Sequence, residues 1–142
     1  MRYSKNPDKN AETVLASKLY NLAGIKNPDM KVLDNNGMFG YISEYTDNLS
    51  SISNNSQLAY DNFGTDAWLG NWNAYNDFNT AVTQDGELIK LVTSGSLSYR
   101  ASGKKKDNFN ADVQELNTLK NPDTNPRGAE IFKDMSDDDM IE

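Results

Sequence analysis

Two short turn sequences place the strongest constraint on how this chain can fold. DNNG at residues 34–37 and QDG at residues 84–86 each lie between two short runs that suit strands. Gly, Asn and Asp adopt positive φ with little strain, so these sequences favour the tight turns of β-hairpins. We therefore predict two antiparallel hairpins, one within residues 30–45 and one within residues 79–93.

Helical patterns surround the two hairpins. Residues 11–23 carry an apolar stripe at Val14, Leu15, Leu19, Tyr20 and Leu22, and Gly24 then ends the pattern. Further helices are predicted at residues 57–68, 111–119 and 129–132, and Ser136 is predicted to cap a last short helix. The sequence therefore predicts one α+β domain over residues 1–142.

The 142 residues include neither cysteine nor histidine. Disulfides and thiolate metal sites are therefore excluded, and so is the usual general base near neutral pH. Any proton transfer or metal binding has to use carboxylates. No run approaches the roughly 20 apolar residues of a membrane span, and the first residues lack the apolar segment of a secretory signal. We expect no membrane insertion and a cytoplasmic location.

The chain is acidic, with a net charge of −7 from 21 acidic and 14 basic residues. This balance argues against direct DNA binding, which requires a basic face. It is compatible with solubility alone and with docking onto a basic protein partner. The one basic cluster, Lys104, Lys105 and Lys106, is predicted to be a solvated loop.

The stretch WLGNWNAYNDFN, residues 68–79, combines aromatic and amide side chains. Its polar members are Asn71, Asn73, Asn76, Asp77 and Asn79. Asp and Asn oxygens suit magnesium, but a polar loop in an asparagine-rich protein has the same composition. Trp68 and Trp72 are predicted to anchor the core. The turn TSGS at residues 93–96 suits either a phosphate contact or an ordinary turn.

Four segments together resemble a known family. They are AETVLASKLYNLAG at residues 11–24, DAWLGNWN at 66–73, LVTSGSLSYRASGKKK at 91–106 and ELNTLKNPDTNPRGAEIF at 115–132. These segments resemble the C-terminal part of kinase-like domains of the HipA and phosphatidylinositol-kinase-like type, including versions in bacterial toxins and phage head proteins. The resemblance implies a truncated protein-kinase-like fold in a bacterial or phage-infected cell. Residues 1–46 would be the remnant of its N-lobe, and residues 47–142 its mainly helical C-lobe.

The resemblance also implies roles for residues near the N-terminus. Glu12 matches the helix glutamate that pairs with an ATP-positioning lysine, and Arg2 falls near the place of that lysine. Residues 42–46, which include Glu44, would be the strand that leads to the adenine-binding hinge. These three side chains are the predicted nucleotide-binding residues.

The same resemblance places three further residues at catalytic positions. Asn73 occupies the position of the catalytic aspartate, and Asn79 that of the metal-binding asparagine. Val92 occupies the position of the second, metal-binding aspartate. Asp77 is the candidate for a substitute metal ligand. Active members of such a family would need ATP and magnesium.

This chain departs from the family pattern at positions that decide whether it could be an active kinase. An asparagine cannot act as a base, a valine cannot hold a metal, and no glycine-rich strand precedes Arg2. We therefore expect a catalytically inactive module that binds or inhibits a macromolecule and requires no cofactor. The alternative is an ATP-dependent phosphotransferase that is inactivated by substitution or needs an N-lobe from another chain. A pseudokinase that binds nucleotide lies between them. An exposed sheet edge would also favour self-association.

Overall fold

The computed structural model describes residues 2–3, 6–35, 38–76, 78–136 and 138–140. Its elements, in chain order, are β1 (Arg2–Tyr3), α1 (Pro7–Leu22), β2 (Met30–Asn35), β3 (Met38–Ser43), β4 (Ser50–Ser51), α2 (Ser56–Trp68), β5 (Thr80–Val82), β6 (Leu88–Lys90), α3 (Glu115–Thr118) and α4 (Pro126–Ile131). Short 3₁₀ turns occupy Ile52–Asn54 and Asp138–Met140. This mixture of helices and small antiparallel sheets confirms the predicted α+β class. Within the described residues, we find no helix with the length and apolar character needed to cross a membrane.

Helix α1 begins one turn earlier than the apolar stripe indicated. The side chain of Asn6 caps it by accepting a hydrogen bond from the backbone N–H of Lys9 at 3.1 Å. Pro7 follows at the first helical position, where its missing N–H has no intrahelical acceptor in any case. The helix ends as predicted before Gly24, which has a φ of +80°.

The first sheet has the strand order β1-β3-β2. β2 and β3 pair antiparallel over their whole length, from Met30 opposite Ser43 to Asn35 opposite Met38. This confirms the first predicted hairpin, although turn residues 36 and 37 lie outside the described residues. β1, which the sequence did not predict, adds Arg2 opposite Tyr41.

The second sheet has the order β4-β5-β6 and contains the second predicted hairpin. Its turn is closed by the N–H of Thr83, which donates to the carbonyl oxygen of Glu87 at 2.9 Å. Gly86 has a φ of +81° there, the conformation that made QDG a hairpin signal. β4 was not predicted, because two residues of a serine- and asparagine-rich stretch carry no strand pattern.

The main core lies between α2, the second sheet and the C-terminal segment. Phe132 is its centre. The centroid of its ring lies 4.7 Å from that of Phe63 and 4.8 Å from that of Tyr75, and both ring pairs are edge to face. A smaller cluster joins Val14 of α1 to Met30 and Tyr41 of the first sheet. Helix α1 therefore connects the two sheets, because Tyr20 on the same helix belongs to the main core.

The C-terminal segment is less helical than predicted. The helix expected at residues 111–119 is reduced to α3, because Val113 has a φ of +39°, which no right-handed helix accommodates. α4 begins earlier than expected, at Pro126, since the side chain of Asn125 accepts from the N–H of Gly128 at 2.9 Å. Ser136 caps the final 3₁₀ turn as predicted, receiving the N–H of Asp139 at 3.2 Å.

Candidate functional site

A cleft lies between the end of β3 and the segments on either side of the second hairpin. Its volume is about 270 Å³. Residues 43–46 form one wall, Phe78, Leu91 and Val92 form the opposite wall, and Pro28 and Tyr41 also line the cleft. The structure therefore brings two predicted site residues, Glu44 and Val92, to the same cavity although 48 positions separate them in the sequence.

Three predicted positions meet beside this cleft. The side-chain amide of Asn79 donates to the carbonyl oxygen of Asn73 at 2.8 Å. The carbonyl oxygen of Asn79 in turn accepts from the N–H groups of Leu91 at 2.9 Å and Val92 at 3.3 Å. Asn79 thus links Asn73 to Val92, so the three positions that the family resemblance selected are neighbours in space.

The loop that carries Asn73 is held in place by buried groups. The side-chain oxygen of Asn71 accepts from the N–H of Asn73 at 3.2 Å, while its amide donates to the hydroxyl of Tyr20 at 2.9 Å. On the other side, Gly95 packs so closely that a Cβ there would lie 3.1 Å from the Cβ of Asn73. The side chain of Asn76 also donates to the side-chain oxygen of Asn73. Asn73 is therefore fixed by contacts from three directions.

The TSGS turn belongs to this internal packing. The hydroxyl of Thr93 donates to the carbonyl oxygen of Thr13 at 2.8 Å, and Thr93 itself is fully buried. Ser94 and Ser96 are buried as well. Of the two interpretations of this turn, the geometry favours an ordinary structural turn, because its hydroxyl groups face the interior and not a ligand.

Three predicted site residues remain. Glu12 contacts a segment away from the cleft, and the predictions for the side chains of Arg2 and Asp77 fall outside what the structure describes. Glu12 binds Ser98, accepting its N–H at 2.9 Å and its hydroxyl hydrogen, so its carboxylate joins α1 to the segment after Gly95. The backbone of Arg2 pairs with Tyr41, but the prediction for its side chain lies outside the described residues. The prediction for Asp77 also lies outside the described residues.

The described residues do not fit a magnesium ion at this position. Mg²⁺ sites combine at least one or two carboxylates with other oxygen ligands in octahedral geometry. Asn73, Asn79 and Val92 include no carboxylate, and Val92 offers only a hydrocarbon. Asn73 already accepts a hydrogen bond on its side-chain oxygen. Across the described part of the chain, no group of three or more acidic side chains comes together as a metal site. We therefore derive no chemical step that passes through a metal.

A buried polar network next to the main core was missed by the sequence reasoning. Lys90 and Asp66 form an ion pair, with Nζ 2.6 Å from Oδ2 and both side chains inaccessible to solvent. The hydroxyls of Tyr20 and Tyr75 also donate to Asp66, at 2.6 Å and 2.5 Å. Thr80 completes the set by accepting from Lys90 Nζ at 3.1 Å. Each member is unremarkable in the sequence, and only the fold brings them together.

Burial sets the protonation states in this network. It raises the pKa of Tyr20 and of Tyr75 well above 10, and the Asp66 charge acts in the same direction. Burial also lowers the pKa of Lys90, an effect that the nearby Asp66 carboxylate opposes. The phenols therefore remain donors at neutral pH. The network ties α2 to the second hairpin, and through Asn71 it reaches the loop that holds Asn73.

Lys106 is the second residue whose place the sequence did not reveal. The prediction of a solvated lysine loop is wrong for this residue, since only 4% of its surface is exposed. Its ammonium group donates to the carbonyl oxygens of Gly95, at 2.7 Å, and Gly70, and it lies 5.0 Å from the centre of the Trp72 ring. Burial lowers the pKa of this ammonium to about 8. Lys104 is exposed as expected.

The prediction that both tryptophans anchor the core is also wrong in part. Trp72 is half-buried, and its indole N–H donates to Glu115 at 2.8 Å. Trp68, at the end of α2, leaves 59% of its surface in solvent. Their spacing of four residues crosses the point where α2 ends, so the two rings do not share one helical face.

Comparisons of this chain with protein-family models, with curated proteins and with solved structures return no match.

Proposed function

We propose that this chain is a kinase-like domain that has lost phosphoryl transfer and acts by binding another macromolecule. The observation that carries the proposal is the grouping of Asn73, Asn79 and Val92 beside the cleft that residues 43–46 help to form. A kinase-like arrangement requires the positions of the base and the two metal ligands to lie close together in the nucleotide cleft. The side chains that occupy those positions argue that the domain does not transfer phosphate.

The chemistry of these side chains is opposed to phosphoryl transfer. A kinase orients the attacking hydroxyl with a carboxylate and neutralises the phosphates with magnesium. Asn73 donates and accepts hydrogen bonds but takes up no proton at ordinary pH. Val92 offers no ligand to a metal. Each such part of a catalytic site is worth several kcal/mol of transition-state stabilisation, so the combined substitutions favour a contact role.

The alternative proposal is an ATP-dependent phosphotransferase, active with an N-lobe from another chain or with Asp77 as the metal ligand. The cleft itself favours this alternative, because a cavity of about 270 Å³ remains between the wall formed by residues 43–46 and Val92. A pseudokinase that binds ATP in this cleft without turning it over lies between the two proposals.

A restoration experiment separates these functions. The chain and its Asn73→Asp, Val92→Asp double variant are titrated with ATP, with and without magnesium, while unfolding temperature and phosphate transfer are recorded. The matched control introduces two aspartates away from the residues that line the cleft, at the exposed positions Asn54→Asp and Leu116→Asp. A ligand at about 100 times its Kd adds roughly 2.7 kcal/mol of stability, a shift that is easily measured.

The expected result is no phosphate transfer by the unaltered chain and magnesium-dependent stabilisation by ATP in the double variant alone. Turnover by the unaltered chain would replace the contact proposal with the phosphotransferase. Stabilisation of the unaltered chain without turnover would identify a pseudokinase. If the double variant behaves like the control, the kinase-like assignment of positions 73 and 92 is wrong.

The expected partner and location follow from the same proposal. A contact module with a net charge of −7 suits a basic protein partner in the cytoplasm. Self-association through the first sheet is a further proposal, since β2 is an edge strand in the order β1-β3-β2 and its Val32 is 46% exposed. Sedimentation at several concentrations tests it: a monomer at all concentrations would exclude pairing through β2.

A further inference from the structure

A second concave surface lies on the side of the molecule where α1 meets the end of α2. We call it the Trp68 groove. It has a volume of about 500 Å³ and is lined mainly by the apolar residues Leu19, Trp68, Leu69, Leu97, Phe109 and Val113. None of these residues lines the cleft described above. The groove is therefore distinct from the cleft, and its lining is mainly apolar.

Exposed leucines of α1 extend the apolar surface beyond the groove. Leu15 and Leu22 lie about one turn to either side of Leu19 on the same helical face, and they are 49% and 84% exposed. Leu15, Leu19 and Leu22 thus form a leucine row along α1, and Trp68, which is 59% exposed, lines the groove together with Leu19. Exposed apolar surface of this kind marks interaction sites in many proteins, and tryptophan is enriched among the residues that dominate binding energy.

The core of this chain does not require Leu15 and Leu22. The residues of α1 that are buried are Asn10, Thr13, Val14, Ala16, Ser17 and Tyr20. At 100° per residue, their mean direction is nearly opposite to that of Leu15, Leu19 and Leu22. Helix α1 thus has one face in the core. On the other side Leu19 still packs against the main core, whereas Leu15 and Leu22 are exposed.

Backbone strain is concentrated at the same groove. Among the described residues, four other than glycine have positive φ, and two of them, Leu97 at +57° and Val113 at +39°, line the groove. Positive φ is unfavourable for such side chains, and strained residues of this kind are frequent at functional sites. The N–H of Leu97 is held by the carbonyl oxygen of Leu69 at 2.6 Å. The wall of the groove is therefore kept in a strained but fixed shape.

The charges around the groove indicate the character of the partner. Asp112 is exposed between the lining residues Ala111 and Val113, and the exposed Asp107 precedes Phe109 by two positions. On the opposite wall, the exposed Lys18 adjoins Leu19. A second copy docked on the groove by side chains alone would approach against the like charge of −7, without the backbone pairing that the β2 edge offers. A basic partner is attracted instead.

We propose that the Trp68 groove docks an amphipathic helix of a different protein, with an apolar face seated on Trp68 and the leucine row and with basic residues beside Asp107 and Asp112. This inference rests on the proposed contact function and supplies its surface. The spacing of Leu15, Leu19 and Leu22 over about 10 Å matches two turns of an apposed helix.

The test uses three helical peptides and the full chain. One peptide carries leucines at helical spacing flanked by lysines, the second has glutamates in place of the lysines, and the third is a scrambled form of the first. Binding is measured by calorimetry for every variant and, where Trp68 is present, also by tryptophan fluorescence, to which Trp72 contributes as well. Leu22→Ser and Trp68→Ala are the test variants. Asn21→Ser and Gln57→Ala are matched controls, since both are exposed on the same two helices outside the groove.

We expect the lysine peptide to bind at least about 10-fold more tightly than the glutamate or scrambled peptide. Leu22→Ser and Trp68→Ala should each weaken it by about 10-fold or more, and the control variants should not. Thermal unfolding followed by circular dichroism verifies that each variant is folded. The proposal is overturned by equal affinity for the three peptides, by no saturable binding below about 1 mM, or by binding that ignores both test variants.

Self-association provides a further outcome. If sedimentation detects a dimer that Leu22→Ser abolishes, a second copy occupies the groove and the proposal of a different partner is wrong. None of these results depends on the cleft. Failure of the peptide experiment therefore refutes the groove alone, whereas phosphate transfer by the unaltered chain refutes the contact function.

Discussion

Lys90 Nζ lies 2.6 Å from Asp66 Oδ2, and neither side chain is accessible to solvent. The pair joins α2 to the second hairpin next to the main core. Because a charge that loses its partner in the interior cannot be rehydrated, such pairs are sensitive to removal of either member. The effect should differ between the two members, since Asp66 accepts two tyrosine hydroxyls in addition to the lysine.

The first prediction concerns this ion pair. Lys90→Met should lower the free energy of unfolding by about 3–5 kcal/mol, and Asp66→Asn should lower it at least as much, because it also weakens the acceptor of both phenols. Urea unfolding followed by circular dichroism measures both. Lys26→Met is the control: its pair with Glu87 is exposed, so the unfolding midpoint should not change. A Lys90→Met midpoint equal to that of the control would contradict the prediction.

The second prediction concerns Lys106 and pH. Burial lowers the pKa of its ammonium to about 8, whereas a lysine in the unfolded chain has a pKa of about 10.4. Between these values the unfolded chain binds more protons, so the contribution of Lys106 to the free energy of unfolding rises as the pH increases from about 8 to about 10. The contribution is smallest below pH 8, where both states are protonated.

Urea midpoints of the chain and of Lys106→Met, measured between about pH 7.5 and about pH 9.5, test this dependence. As the pH rises, the urea midpoint of the unaltered chain should increase relative to that of Lys106→Met. Tyr20 and Tyr75 act in the opposite direction only above about pH 10, where phenols of the unfolded chain ionise. If the midpoint of the unaltered chain stays constant or decreases relative to that of Lys106→Met, burial does not lower the pKa of Lys106.

The third prediction compares two glycines in helices. A Cβ at Gly128 would overlap the carbonyl oxygen of Leu119, whereas a Cβ at Gly64 meets open space. Gly128→Ala should therefore destabilise the fold by about 1–3 kcal/mol, because backbone has to move. Gly64→Ala should stabilise it by about 0.5–1 kcal/mol, since alanine restricts the unfolded chain and favours helix. Thermal unfolding measures both variants. Unfolding temperatures that change in the same direction for Gly128→Ala and Gly64→Ala would contradict this packing.

The fourth prediction concerns Phe78, which lines the cleft with a φ of +64° and 82% of its surface exposed. An exposed phenylalanine gains little from packing, so the strain has no compensation within the fold. Phe78→Asn should raise the free energy of unfolding by about 1 kcal/mol, because asparagine tolerates this conformation. An unchanged or lower unfolding temperature would contradict the assignment of strain.

Local features of the sequence determined the secondary structure because they act over a few residues. The DNNG and QDG turns, the apolar stripe of α1 and the Ser136 cap require only their neighbours. Hairpins and helices follow from them, and so does the α+β class. Val113 shows the limit of this reasoning, since its positive φ ends a helix that its neighbours favour.

The tertiary structure decided everything that depends on distant residues meeting. Asp66 and Lys90 are 24 positions apart, and Lys106 reaches carbonyl groups 36 and 11 positions away. No local pattern distinguishes a lysine that will be buried from Lys104, which is exposed. The choice depends on which surfaces the packed helices leave free, and that is also why Trp68 and Leu22 face solvent while Tyr20 is buried. The sequence by itself determined the two hairpins and the helices α1 and α2. The packing of these elements decided which side chains lie in the core, in the buried network, in the cleft and in the groove.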